Sequence, residues 1–399
     1  MGLTAIKFKQ SEVGLIPEDW GTIPIGALGK VLTGSTPPTN DRSNYGNDYL
    51  FVSPADLGKS KWILNTEKKL SKKGFDISRK FPSGSILFTC IGSTIGKSGI
   101  ASKALTSNQQ INAVLPKDKY DSEHIYYSLQ LISQKIKAEA GEQAVPMVNK
   151  TEFAKFQIPL PPTLTEQKAI ARVLTDTDAL IQALEKKIAK KELIKKGVMQ
   201  KLLTPKEGWE EKSLGEVGEG IIGLTYSPND VRKNGTLVLR SSNIQKGQLV
   251  FIDNVFVEMD LPDRVIVKEN DILICVRNGS KRLIGKCALI DKKTAGSAFG
   301  AFMTAYRSQY SDFVFYVFQS HYIQRQIDEV MGATINQITN KDLHSFVIPF
   351  PPVEEQKKIV QILSDLDIEI QNLIQKKAKY KLAKQGIIQQ LLTGKIRLV

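Results

Sequence analysis

The sequence predicts an α+β chain: two globular domains separated by two long antiparallel coiled-coil helices, with a pseudo-twofold internal repeat. Three observations predict it. The chain repeats itself at a fixed offset. Each repeat ends in a long apolar stripe of helical period. The remainder mixes strand-like and helix-like runs.

The repeat comes first because it organises everything else. The segment "EQKAIARVLTDTDALIQALEKKIAKKELIKKGVMQKLLT" (166–204) returns 189 residues later as "EQKKIVQILSDLDIEIQNLIQKKAKYKLAKQGIIQQLLT" (355–393). From Gln167 to Thr204, 19 of 38 positions are identical between the copies. A proline signature precedes each copy, "FQIPLPP" (156–162) and "FVIPFPP" (346–352). The same offset relates Trp20 to Trp209, Gly26 to Gly215, Gly29 to Gly218, Gly34 to Gly223, and Gly96-Lys97 to Gly285-Lys286. The expected division is therefore 1–160, globular; 161–205, helix; 206–350, globular; and 351–399, helix.

Steps of four and three residues trace the stripe on each helix. In the first copy the seam runs through Ile170, Leu174, Ile181, Leu184 and Ile188, then meets Lys191 and Lys195. In the second it runs through Ile359, Leu363, Leu366, Ile370 and Leu373, then Lys377, Tyr380 and Lys384. Lysines in a seam predict something other than an isolated two-helix coil: their stems snorkel, or a partner covers them. Pro161-Pro162 and Pro351-Pro352 bar any helix from running in from upstream. Thr163 and Glu166 have capping-box spacing, while Val353 leaves the second helix without that cap. Gly197 and Gly386 interrupt equivalent turns, either for close approach of another backbone or as tolerated defects. At 1.5 Å per residue each helix is about 60 Å long.

In the globular parts, strands are expected at 49–53, 85–91, 111–115, 236–240, 250–257, 271–276 and 301–307, and helices at 122–140 and 311–331. The stretch "ILFTCIGSTIGKSGIA" (86–101) resembles a phosphate-binding loop. It has three residues between its glycines where that loop needs four. Its counterpart replaces Ser98 with Cys287 and so loses the magnesium-binding hydroxyl. Both copies read as strand–turn–strand, which argues against a nucleotide-hydrolysing site; a phosphate-loop nucleotidase stays as a third reading, which absence of ATP binding would end.

Composition narrows the partner. The 399 residues carry a formal net charge of +14, which favours a polyanion such as nucleic acid. No apolar run reaches the length of a membrane span, and the N-terminus lacks a signal-peptide core, so a cytoplasmic location is expected. Cys90, Cys275 and Cys287 and three histidines have no metal-ligand spacing. No metal is expected, and no catalytic residue.

Residues 1–160 hold 20 basic and 14 acidic side chains; residues 206–350 hold 17 of each. The loops of the two copies differ sharply, as readers of two different targets would. Bases are read by Arg or Lys on guanine and Asn or Gln on adenine, with further cations on phosphate. In the first copy the candidates are Lys59, Lys61, Lys68, Lys69, Lys72, Lys73, Lys97, Gln109, Gln110, Asn112 and Gln143. In the second they are Arg232, Lys233, Arg240, Asn243, Arg277, Asn278, Lys281, Arg282, Lys286, Asn336 and Gln337.

The paired "IPLPP…EQKAIARVL" and "IPFPPVEEQKKIVQIL" segments, the "KLLT" and "QLLT" helix ends, the "IPEDW" start with its partner "KEGWEEKSLG", and the "SNQQIN" box together resemble the specificity subunit of a type I restriction–modification enzyme. The resemblance spans nearly the whole chain. It implies that each globular part is a target recognition domain reading one half of a bipartite site in double-stranded DNA. It implies that the helices set the spacing and dock two modification subunits, with restriction subunits joining them. S-adenosylmethionine, ATP and magnesium are then expected in the partner subunits and no cofactor in this chain. Half-site centres on one face of DNA would lie about 10–11 base pairs apart. A spacer of about 60 Å limits the separation to under about 17 base pairs. The alternative is a stand-alone bipartite DNA-binding regulatory or architectural protein.

Overall fold

A computed structural model describes residues 7–141, 144–331 and 336–398. It divides into two compact units. The first comprises Met1–Glu185 with Gln375–Val399, and the second Lys186–Ile374. Each unit thus holds one globular part, half of one long helix and half of the other.

The first unit contains a five-stranded sheet in the order Gly29–Thr33, Ile111–Pro116, Ile86–Thr89, Ser98–Ala101, Trp62–Ile63. A four-stranded sheet follows the order Lys68–Leu70, Tyr45–Val52, Leu105–Ser107, Lys80–Phe81. The second unit repeats the scheme. One sheet runs Glu219–Ile222, Met303–Arg307, Ile272–Cys275, Cys287–Leu289; the other runs Val231–Arg232, Val255–Val257, Thr236–Leu239, Ala298–Phe299. Even the unusual pairing is duplicated: Leu105–Ser107 lies parallel to Tyr45–Val52, and Ala298–Phe299 parallel to Thr236–Leu239.

The glycine turn closes a hairpin in both units. Ile86–Thr89 pairs antiparallel with Ser98–Ala101, and Ile272–Cys275 with Cys287–Leu289. Gly96 and Gly285 hold φ of 101° and 80° there, and their N–H groups return to the carbonyls of Thr89 and Cys275. Backbone amides that close a hairpin cannot also wrap a phosphate.

Two predicted elements are corrected. Only Val255–Val257 of the 250–257 run is a strand, because the polar Asp253-Asn254 pair interrupts its alternation. The 311–331 helix breaks into Ser311–Phe318 and His321–Val330, where Ser320 accepts the Tyr322 N–H and caps a new start.

The long helices span Leu164–Leu202 and Val353–Leu392. The glutamine of each "EQK" secures the helix start: Gln167 Nε2 donates to the Pro161 carbonyl at 3.3 Å, and Gln356 Nε2 to that of Pro351 at 2.8 Å. Both glutamines are buried. Thr163 Oγ1 accepts the Glu166 N–H at 3.2 Å, half of a capping box. The Glu166 carboxylate turns instead to Arg397, which also grips Asp19. In the second unit the same place is filled by Glu355, bound by Lys206 and by Trp209 Nε1.

Ile170 and Leu174 share a core with Leu391 and Leu392, and Ile359 and Leu363 share one with Leu203. Ile181, Leu184, Ile188 and Ile370 are buried too; Leu366, Leu373 and Tyr380 are half-buried. The seam lysines have partners. Lys384 Nζ lies 2.6 Å from Asp178, whose carboxylate accepts the Tyr127 hydroxyl at 2.8 Å. Lys195 Nζ lies 2.6 Å from Asp367, which accepts the Tyr316 hydroxyl at 3.1 Å. Each triad joins both helices to a helix of the adjoining globular part. Within the first unit Asp178 faces Lys384 while Glu185 faces Lys377 and Lys381, so the two helices run in opposite directions there. Gly197 and Gly386 face open space: a Cβ at either would meet nothing within 4 Å, so no backbone approaches them among the described residues.

Candidate nucleic-acid interface

Three predicted contacts are buried and are corrected. Lys61 lies inside, its Nζ 2.5 Å from Glu123 and 2.6 Å from Thr175 Oγ1; the helix Ser122–Glu139 and the first long helix cover it. Asn112 sits in a central strand and accepts the Thr33 hydroxyl at 2.7 Å. Asn243 has no exposure; it donates to the Val250 carbonyl and accepts the Arg240 N–H, bracing a turn. The residue types alone gave no warning: Lys61 and Asn112 meet groups far away in the chain, and Asn243 turns inward to its own loop.

Other candidate cations of the first unit are on the surface. Lys59 approaches Glu67, Lys72 pairs with Asp76, and Lys73 lies 2.8 Å from Asp41. The Lys73 and Ser43 hydrogen bonds lower the Asp41 carboxyl to a pKa of about 2. Lys68 and Lys69 occupy an edge strand and form no ion pair among the described residues. Lys97 is exposed, with its stem against Gly58. Gln143 lies outside the described residues.

In the second unit Arg232 approaches Glu258, and Arg240 lies 2.8 Å from Asp253. Lys286 donates to the Ser241 carbonyl at 2.9 Å, and Asn278 Nδ2 to the Ser241 hydroxyl at 3.1 Å. Lys281 approaches Asp328; Lys233 and Arg282 are exposed.

A subset does converge. In the first unit, Cys90 N–H bonds the Gln110 carbonyl, Gly92 N–H bonds the Pro146 carbonyl, and Val148 N–H returns to Cys90. These bonds tie together the glycine turn, the "SNQQ" turn and the loop before Asn149. Gln109 accepts the Thr36 hydroxyl at 2.6 Å, and Gln110 accepts from Asn108 Nδ2 at 2.9 Å. In the second unit, Val276 N–H bonds the Phe302 carbonyl, Asn278 N–H bonds the Asn336 carbonyl, and Ile338 N–H returns to Val276. The two bonding patterns superpose step for step, so Phe302 occupies the place of Gln110, Arg277 that of Ile91, and Gln337 that of Met147. The framework is shared and the presented chemistry is not.

Phe302 was missed in the sequence because "AFMTAYR" reads as a buried strand. Met303–Tyr306 are indeed buried, but Phe302 stands 55% exposed just before them, under the Arg277 guanidinium at 5.0 Å. Exposed Thr36 and Met147 carried no signal either.

Comparison with known proteins decides the family. The model of the type I restriction modification DNA specificity domain matches this chain twice, over residues 17–194 and 206–380. The chain belongs to that family. As a member of the specificity-domain family it is similar over its length to the type I restriction enzyme MjaVIII specificity subunit of Methanocaldococcus jannaschii, with 28% identity covering 98% of this chain and 96% of that one. It is 31% identical over 169 residues, 40% of this chain and 36% of the relative, to the EcoKI specificity subunit of Escherichia coli. The fold matches a solved chain from a study of complex assembly and conformational transition in the type I system, with a TM-score of 0.63, 17% identity, and 96% and 99% of the two chains covered. It also matches the S subunit structure from M. genitalium, with a TM-score of 0.59, 17% identity, and 98% of each chain covered. Among the described residues no cluster of three metal-ligating side chains occurs, and no helix is long and apolar enough to cross a membrane.

Proposed function

We propose that this chain is the DNA-specificity subunit of a type I restriction–modification complex, and that its two globular parts are target recognition domains, each reading one half of a bipartite site. One observation carries the reading: a duplicated framework presents Gln109 and Gln110 in one unit and Arg277 and Phe302 in the other. Two scaffolds alike in hydrogen bonding and unlike in side chains suit a split, asymmetric sequence.

The long helices act in this reading as an antiparallel coiled-coil spacer with pseudo-twofold symmetry. They hold the two half-sites at a fixed separation of about one helical turn and dock two modification subunits. Methylation and cleavage belong to partner subunits, which bind S-adenosylmethionine, ATP and magnesium. This chain works without catalysis, in the cytoplasm, by holding the duplex in register while the partner's pocket takes the target adenine out of the stack. The domain division 1–160, 161–205, 206–350 and 351–399 belongs to the same proposal.

The test is an exchange. Residues 206–350 are replaced by those of another specificity subunit, and the methylated motif of the assembled complex is mapped. One half of the motif should change while the other half and the gap stay fixed. Change in both halves, or in neither, would remove the assignment of one half-site to each part.

A further inference from the structure

We infer that Arg277 and Phe302 are the base-reading point of the second unit, the arginine for a guanine and the ring for the methyl of an adjacent thymine. The inference rests on the DNA-recognition reading above and names the residues that perform it.

Four observations converge. First, Arg277 is exposed and makes no ion pair among the described residues, a state it shares with Arg282; Arg232, Arg240, Arg307 and Arg325 of the same unit face carboxylates, and Arg264 donates to the Ile222 carbonyl. A guanidinium left without an acid is free to meet guanine O6 and N7 with two N–H donors. Second, Phe302 is held in water at the mouth of a sheet whose next four residues are buried. An exposed aromatic gains by covering, and thymine's methyl is the apolar feature of the major groove. Third, the ring lies under the guanidinium. This contact restricts the arginine before binding and lowers the entropy lost on docking.

Fourth, the backbone that presents the pair is fixed. Both the Val276 and Arg277 N–H groups bond the Phe302 carbonyl, Arg277 is bridged to Gln337, and Asn336 Nδ2 donates to the Gly279 carbonyl at 3.1 Å. The same scaffold in the first unit presents Gln109 and Gln110, whose Oε1 atoms accept from Thr36 and Asn108 and whose Nε2 groups are left as donors for adenine N7. The half-site of the second unit is therefore expected to contain a guanine beside a thymine, and that of the first unit an adenine.

The experiment uses the full chain assembled with its modification subunit. Methylation rates are measured on duplexes carrying the mapped motif and every single base-pair change within it, for wild type, Arg277→Ala, Arg277→Lys and Phe302→Ala. Arg277→Ala should lower methylation of the mapped site about 10- to 100-fold, the loss of one bidentate base contact. It should flatten discrimination at one base pair of one half-site and leave the other half-site's discrimination unchanged. Arg277→Lys should recover rate and only part of the discrimination for guanine, because lysine reaches O6 and N7 without the planar fork; a merely structural role would not split the two. Phe302→Ala should relax the neighbouring position. Unaltered discrimination in all three variants, with a two-part motif present in wild type, would overturn this assignment and leave the general reading standing. Loss of subunit assembly in Arg277→Ala, with an unchanged unfolding midpoint, would make the pair a protein contact and overturn it too. A wild-type complex with no two-part motif would remove the general reading and this assignment together.

Discussion

Lys384 and Asp178 meet at 2.6 Å across the two long helices, and the Tyr127 hydroxyl closes on the same carboxylate. The constellation recurs 189 residues away as Lys195, Asp367 and Tyr316. Both lysines lie in what would otherwise be an apolar stripe. Their charges are mostly covered, so each needs its aspartate in place. A shift of one helix along the other would strand the pair, so each triad fixes the register of the two helices within its own unit.

Breaking one pair should therefore cost more than a surface ion pair. Asp178→Asn is expected to destabilise the protein by about 1–3 kcal/mol, below the figure for full burial because the groups keep some water contact. The double variant Lys384→Met with Asp178→Leu should recover much of that loss. Denaturant unfolding of Lys384→Met, Asp178→Leu and the double variant gives the coupling directly; additive losses would contradict the pairing.

The C-terminal Arg397 fastens the chain end to the start of the first long helix. It donates to Glu166, 1% exposed, and to Asp19, and its guanidinium lies over Trp20. Its own pKa is raised, chiefly by the Glu166 hydrogen bonds. Arg397→Ala leaves a buried carboxylate unpaired and should cost about 3–5 kcal/mol. Arg397→Met with Glu166→Gln should cost clearly less. Differential scanning calorimetry of both variants separates these outcomes.

His124 makes stability depend on acid. Its ring is fully buried, neither nitrogen has a partner among the described residues, and burial lowers its pKa from 6.5 to about 3. The unfolded chain then binds the proton that the folded chain refuses. The contribution is complete above pH 6.5 and is lost as pH falls from there towards 3, by up to about 1.4 kcal/mol per unit. His124→Leu should flatten stability against pH between 7 and 5. Parallel slopes for the variant and wild type would show that other groups control the acid limb.

Gly197 and Gly386 occupy exposed helical turns with open space where a Cβ would go. Gly197→Ala and Gly386→Ala should each stabilise the isolated protein by about 1 kcal/mol. Urea titration checks both. A loss of methylation in the assembled complex, alongside that gain, would place a partner at these turns.

Much of this architecture was legible because it is written twice. The 189-residue offset exposed the repeat, the four-three stripe exposed the helices, and the altered glycine spacing argued against a phosphate loop. The seam lysines were visible as an anomaly, but their aspartates lie on the other helix, and a one-dimensional stripe cannot pair them. Lys61, Asn112 and Asn243 looked like surface chemistry and are buried, the first two among groups distant in sequence and Asn243 inside its own turn. Phe302 failed in the opposite sense: its neighbours are core, and only the end of the strand leaves it in solvent. The convergence of three loops at Gln110 and Phe302 follows from backbone bonds that residue types do not announce.

The most direct measurement is the methylation pattern of the intact complex. This chain and its modification subunit are produced together in a host without adenine methylation, and N6-methyladenine is mapped across the genome by single-molecule sequencing. The account predicts one motif in two unlike halves with a fixed gap, methylated once on each strand, its half-site centres about one helical turn apart. A continuous motif, or no motif from an assembled and active methyltransferase, would contradict two reading domains on a rigid spacer.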